Sequence, residues 1–288
     1  MIGTMRTDSR HPLKLVIFDL DGVVYRGARA VTGVPELIAW LHDGTDVAVR
    51  FATNNSMLTP QAFVERLAAM GIRAAADEVV TSTTATVDHL ARHLPAPGSI
   101  LVVGGSGLCE LLAAAGYGVT PAARAVPAAY AGEPLGERYE AVVVGLDLAF
   151  SFAALAAAQA AVAAGARLIA TNADARYPTE RGFLPGAGSM VAAIATASGV
   201  QPIVIGKPAP AMFESILEQR GVAAADALVV GDNPDADIVA ARRAGIPSVL
   251  VLTGVADAEM VAALEGDRRP DLVAADPVEL RDLIRTRL

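Results

Sequence analysis

Short runs of aliphatic and β-branched residues alternate along most of the chain with stretches whose apolar positions recur every three or four residues. Leu15–Phe18 predicts a strand and Pro35–His42 a helix. Val47–Ala52 predicts the next strand, and Pro60–Met70 a helix that Thr59 and Pro60 open and Gly71 closes. Ile100–Val103, Ala141–Val144 and Leu168–Ala170 read as strands, with helices over Leu108–Ala115 and Phe152–Ala164. Further strands follow at Pro202–Ile205, Ala227–Val230 and Pro247–Leu252, with helices over Pro210–Arg220 and Asp235–Ala244. The strand runs are apolar throughout instead of alternating, which is the pattern of strands covered on both faces. The fold class is therefore α/β, a doubly wound, Rossmann-like parallel sheet between helices. Two stretches break the pattern. Thr120–Arg138, rich in proline, alanine and glycine, reads as loop, and Arg176–Gly188, with Pro178 and Pro185, as a hinge.

Composition narrows the class of protein. A length of 288 residues suits two domains, and 53% hydrophobic against 19% charged residues supplies a substantial core. Lys and Arg total 23 against 31 Asp and Glu, and paired arginines occur only at Arg242–Arg243 and Arg268–Arg269. That balance argues against nucleic acid as a partner. Cys109 is the single cysteine, which excludes an internal disulfide and fits a reducing, cytoplasmic setting. Residues 1–12 are short and polar and lack the apolar core of a signal peptide, so they read as a loose leader. Phe152–Ala170 is mostly alanine and carries Gln159, Gly165 and Arg167. It reads as a helix followed by a strand, not as a bilayer span, and no membrane partner is expected.

Candidate chemistry collects at strand ends, where parallel α/β sheets place their functional groups. Asp19-Leu20-Asp21-Gly22-Val23 directly follows the first strand. Alone, it is equally well an Asp- and Gly-rich turn. Three more strand ends change its weight: Thr53-Asn54-Asn55-Ser56, Gly206-Lys207-Pro208, and Gly231 through Asp232 and Asp237 to Ile238. Acids of this kind can hold a hard divalent cation, while a lysine with hydroxyl and amide donors can hold phosphate oxygens. Other patterns read as structural. Val102–Gly107 lacks the full dinucleotide spacing, His89 and His93 share a helix face with no third ligand in view, Cys109 reads as a packed thiol, and Asp235 as a helix-start residue.

These motifs, together with Val142–Asp147 and Ala170–Met190, make the chain resemble the haloacid dehalogenase superfamily from about Lys14 to Leu252. Within it, the resemblance is to the phosphatase subclass IIA of NagD-type and p-nitrophenylphosphatase-type enzymes. It implies a discontinuous core domain, 1–81 and 185–288, with a smaller α/β cap domain inserted over 82–184 that roofs the crevice. It implies Asp19 as the nucleophile, Asp21 as acid and then base, and Lys207 as the group that offsets phosphoryl charge. Thr53, Asn54 and Asn55 become phosphate donors. Magnesium is held by Asp19, the Asp21 carbonyl and Asp232, with Asp237 in support. Asn172, Asp174 and Tyr177 are the cap-loop residues expected to face the substrate, Tyr177 standing where some relatives carry a histidine. The implied substrate is a small phosphorylated metabolite, and the implied assembly a homodimer through the cap. A dehalogenase has no use for an acid at the position of Asp21, whereas a phosphatase has an alkoxide to protonate. Two other readings remain open at this point: a phosphotransferase or mutase on the same fold, and a non-catalytic phosphate-responsive binding protein.

Overall fold

The computed structural model describes residues 12–125, 138–179 and 182–288. The expected leader, apart from Pro12, and most of the expected loop at Thr120–Arg138 therefore lie outside the described residues. In chain order the strands are β1 (Leu15–Phe18), β2 (Tyr25–Arg26), β3 (Arg29–Ala30), β4 (Ala48–Thr53), β5 (Val79–Thr81), β6 (Ser99–Val103), β7 (Gly118–Pro121), β8 (Ala141–Val144), β9 (Arg167–Ala170), β10 (Arg176–Thr179), β11 (Gly182–Pro185), β12 (Ile203–Val204), β13 (Ala227–Gly231), β14 (Ser248–Val251) and β15 (Leu272–Ala274).

The chain divides into two compact units. The first runs to Thr53 and includes Pro60–Val80 and Lys207–Leu288. Its six-stranded sheet has the order β15-β14-β13-β1-β4-β5. β1 pairs in parallel with both β13 and β4, so Phe18 stands beside Val230 on one side and Phe51 on the other. Every side chain of β1 is buried, as its unbroken apolar run requires. The helix Val34–Gly44 buries Val34, Leu37, Ile38 and Leu41, the spacing of one helical face, and Pro35 sits in its first turn where no intrahelical donor is lost. Beyond Leu252 the sheet continues with β15 and a helix at Pro277–Arg285, which the apolar runs do not predict. That helix is started by Asp276, whose carboxylate accepts from the N–H groups of Val278 and Glu279 at 2.8 and 2.9 Å.

The second unit comprises Asn54–Thr59 and Thr81–Gly206. Its five-stranded sheet, β12-β9-β8-β6-β7, is parallel throughout. One apolar cluster fills it, with Val142, Val144, Leu168 and Ala170 from the strands and Ala157, Ala158 and Ala161 from the helix Phe152–Ala163. The alanine-rich stretch is thus a helix and then β9, and no helix of the described residues is long and apolar enough to cross a membrane.

Two expectations differ from what is found. Residues 185–206 pack with the second unit, not with the core domain expected to resume at 185. The cause is local. Met190, Val191 and Ile194 of the helix Ala187–Ser198 are buried in the second unit's cluster, and β12 hydrogen-bonds to β9, with Val204 opposite Ala170. The expected hinge at Arg176–Gly188 instead contains an antiparallel hairpin, β10 with β11, in which Pro178 stands opposite Phe183. A two-stranded sheet has only edges, so it accommodates Pro178 and Pro185.

Candidate active site

β13, β1 and β4 lie side by side in the first unit, and their C-terminal ends place Asp232, Asp19 and Thr53 on neighbouring strands. Asp19 extends β1 by one ladder bond, its N–H donating to the Val230 carbonyl at 2.9 Å. Lys207, 3% exposed, reaches into this row from the other end of the unit's sequence. Its ammonium donates to Asp19 Oδ1 at 2.5 Å, to Asp237 Oδ1 at 2.7 Å and to the Ala52 carbonyl at 3.1 Å.

Asp237 reaches Lys207 because the chain after β13 makes one π-helical turn, Pro234–Ile238, before the α-helix Val239–Arg243. A single α-helix over Asp235–Ala244, as the sequence pattern suggests, is therefore not what forms. The wider turn carries the Asp237 carboxylate back over its own strand, where Oδ2 accepts from the N–H groups of Asp232 and Asn233 at 3.2 and 3.0 Å. Gly231 is required there, because a Cβ would run into the Asp237 side chain. Asp232 is fixed by the loop after β14. Val255 N–H donates to its Oδ2 at 2.6 Å, and Gly22 and Gly254 close on the same carboxylate so tightly that a Cβ on either would overlap it. Thr253 Oγ1 donates to the Gly22 carbonyl at 2.7 Å and ties this loop to the turn after β1.

The electrostatics follow from crowding buried acids. Burial pushes the Asp19 carboxyl well above the usual range, Lys207 pulls it down, and Asp237 and Asp232 push it up again. Asp232 is raised to about 6, by burial first and then by Asp237. Burial works against the Lys207 charge, but Asp19 and Asp237 outweigh it and hold the ammonium above the ordinary lysine range. Burial also raises the Asp21 carboxyl, against the opposing pull of Arg66.

Asp19, Asp232 and Asp237 each offer a carboxylate oxygen within 4.8 Å of the others. An all-oxygen donor set in which Asp237 and Asp232 raise the Asp19 carboxyl, and Asp237 raises that of Asp232, suits a hard divalent cation, which would relieve their repulsion. Asp237 already accepts from Lys207 and two backbone N–H groups, which leaves Asp19 and Asp232 as the better-placed direct ligands.

The remaining expected residues lie in the second unit, and three of them meet there. The Asn54 amide donates to both Asp174 carboxylate oxygens at 3.1 Å, and the Asn54 carbonyl accepts from Asn172 Nδ2 and Ser82 Oγ, each at 2.8 Å. Asn55 Oδ1 caps the next turn, accepting from Met57 N–H at 2.8 Å. Tyr177 leans on the apolar cluster of its unit. Among the other patterns, His89 and His93 stack at 4.2 Å, and no third ligand joins them in the described residues. Asp235 is paired with Arg268 at 2.7 Å. Sequence reasoning missed Tyr25 and Arg66, which stand beside Asp21, and the Thr253–Val255 segment. Only the last had a signal, a small-residue turn at the end of a predicted strand.

Two family models match the chain, one described as haloacid dehalogenase-like hydrolase over residues 16–118 and one as HAD-hydrolase-like over residues 204–280. The acid sugar phosphatase of Staphylococcus saprophyticus is 36% identical over 248 residues, 86% of this chain and 90% of that protein. Among solved structures, glycerol phosphate phosphatase from Mycobacterium tuberculosis in complex with magnesium aligns with a TM-score of 0.81 at 36% identity, covering 96% of this chain and 78% of that one. NagD from Escherichia coli K-12 aligns with a TM-score of 0.81 at 30% identity, covering 93% and 98%.

Proposed function

The chain belongs to the haloacid dehalogenase-like hydrolase family, and we propose that it is a magnesium-dependent phosphatase that hydrolyses a small phosphomonoester through a phosphoenzyme on Asp19. The observation that carries this reading is the buried ammonium of Lys207 set between Asp19 and Asp237, with Asp232 alongside. It is a charge arrangement suited to a dianionic phosphoryl group and a divalent cation together.

In the proposed reaction a carboxylate oxygen of Asp19 attacks phosphorus, and the bond from phosphorus to the substrate oxygen breaks. The leaving oxygen takes the electron pair and receives a proton from Asp21, whose raised pKa suits an acid. Asp21, now a carboxylate, takes a proton from water as that water attacks the aspartyl-phosphate, and Asp19 and inorganic phosphate are released. Lys207 offsets charge on the phosphoryl oxygens and on Asp19, and Thr53 and Asn54 hold the phosphoryl group by hydrogen bonds. Asp19, Asp232 and the carbonyl of Asp21 would hold magnesium, which would supply positive charge to the phosphoryl oxygens. Asp237 positions Lys207. Asn172, Asp174 and Tyr177 are proposed to contact the substrate.

The reading extends to a cytoplasmic enzyme, in keeping with its one cysteine, and to a homodimer through the second unit, whose Leu148, Phe152 and Phe183 side chains are exposed. Sugar phosphates and glycerol phosphate lead the substrate classes, because relatives carry those names. The test is release of inorganic phosphate from these esters with magnesium and with chelator, in water and with a competing alcohol. Magnesium-dependent release of phosphate supports the phosphatase. Phosphoryl transfer to the alcohol in preference to water contradicts it in favour of a phosphotransferase. Binding of magnesium and phosphate analogues with no turnover contradicts it in favour of a binding protein.

A further inference from the structure

The side chain of Tyr25 is wholly buried, yet its hydroxyl does not point into the apolar core. It donates to Asp21 Oδ2 at 3.3 Å. Its backbone is fixed by the turn that follows Asp19: Tyr25 N–H donates to the Leu20 carbonyl at 3.1 Å, and its carbonyl accepts from Gly22 N–H at 2.8 Å. Its ring is fixed as well. The Arg66 guanidinium lies 4.3 Å from the ring centroid, and the same guanidinium donates to the Gly27 carbonyl at 2.7 Å, which pins the β2–β3 hairpin over it. Backbone, ring and hydroxyl are thus all held, and what the hydroxyl meets is the Asp21 carboxylate.

We propose that Tyr25 is a positioning residue for Asp21: its hydroxyl occupies Oδ2, so that the acid carries its proton on Oδ1 and presents that atom to the leaving oxygen. The inference rests on the phosphatase reading above and adds a residue to it. A carboxyl whose one oxygen accepts a hydrogen bond keeps its proton on the other, because a protonated oxygen is the poorer acceptor. Burial alone would explain why Tyr25 needs some partner. It does not explain why the ring is clamped so that this partner is the one carboxylate two residues from the nucleophile.

The consequence depends on the leaving group. An alkyl phosphate releases a strongly basic alkoxide and needs the acid, whereas p-nitrophenyl phosphate releases a weakly basic phenolate and barely does. The experiment measures kcat/KM, which reports the alcohol-releasing step, for glycerol phosphate and p-nitrophenyl phosphate in wild type, Tyr25→Phe, Asp21→Asn and the double variant. Tyr25→Phe keeps the ring beneath Arg66, and a thermal melt checks that the fold is retained. The expected result is a loss of about tenfold on glycerol phosphate with less than about a twofold change on p-nitrophenyl phosphate. In the Asp21→Asn background the same substitution is expected to add no further selective loss. An equal loss on both esters, or an undiminished selective loss in the Asp21→Asn background, overturns the proposal and leaves the phosphatase reading standing. A wild type that hydrolyses neither ester overturns both.

Discussion

Asp237 grips Lys207 with one carboxylate oxygen, Oδ1 at 2.7 Å from Nζ, and with the other grips its own backbone at Asp232 and Asn233. The lysine is therefore aimed at Asp19 by a group that need not itself touch substrate. Replacing Asp237 by Asn removes a charged acceptor from a buried ammonium. We expect Asp237→Asn to cost on the order of 2 kcal/mol of stability by urea denaturation and to lower kcat more than it raises KM. Unchanged kcat in a folded variant would contradict the positioning role.

Gly22 combines a φ of +88° with contact against the Asp232 carboxylate, while Gly27 has a φ of +57° with open space beyond it. The two separate backbone strain from damage to the metal site. Gly22→Ala is expected to weaken magnesium binding by calorimetric titration at least about tenfold, because the methyl group displaces a ligand; Gly27→Ala is expected to cost about 1 kcal/mol of stability and leave magnesium affinity unchanged. Equal effects of the two on metal affinity would show that Gly22 is present only for its turn.

His89 is held at about 4 against an ordinary 6.5, by burial first and then by the stacked His93 and the charges of Arg92 and Arg167. Because folding lowers this pKa, the unfolded chain binds the extra proton below 6.5, and stability declines as pH falls from 6.5 through 4. An NMR titration of the His89 ring should give a midpoint near 4. In His89→Gln the part of the acid-side decline that begins near pH 6.5 should shrink. A midpoint at the ordinary value contradicts the burial argument.

Much of the first unit was legible in sequence for a physical reason. A strand buried on both faces, such as Leu15–Phe18, leaves an unbroken apolar run, and the first carboxylate after it marks the strand end. Lys207 and Asp232 were legible in the same way. The role of Asp237 toward Lys207 was less so, because only the π-helical turn brings it back over its own strand. Ile203–Val204 is apolar enough for either sheet; hydrogen bonds to β9, which no hydropathy pattern records, decide the matter. Proline and glycine at Arg176–Gly188 suit a hairpin as well as a hinge. Tyr25 reads in sequence as one more core residue, since a pattern of burial does not say where a hydroxyl points.

The phosphoenzyme reading stands or falls on Asp19. The measurement that bears on it most directly is hydrolysis of p-nitrophenyl phosphate with and without magnesium by the wild type and by Asp19→Asn. Magnesium-dependent turnover is expected in the wild type, inhibited by beryllium fluoride bound at Asp19, and no turnover in the folded variant. Hydrolysis that survives in Asp19→Asn would contradict a phosphoenzyme on this residue.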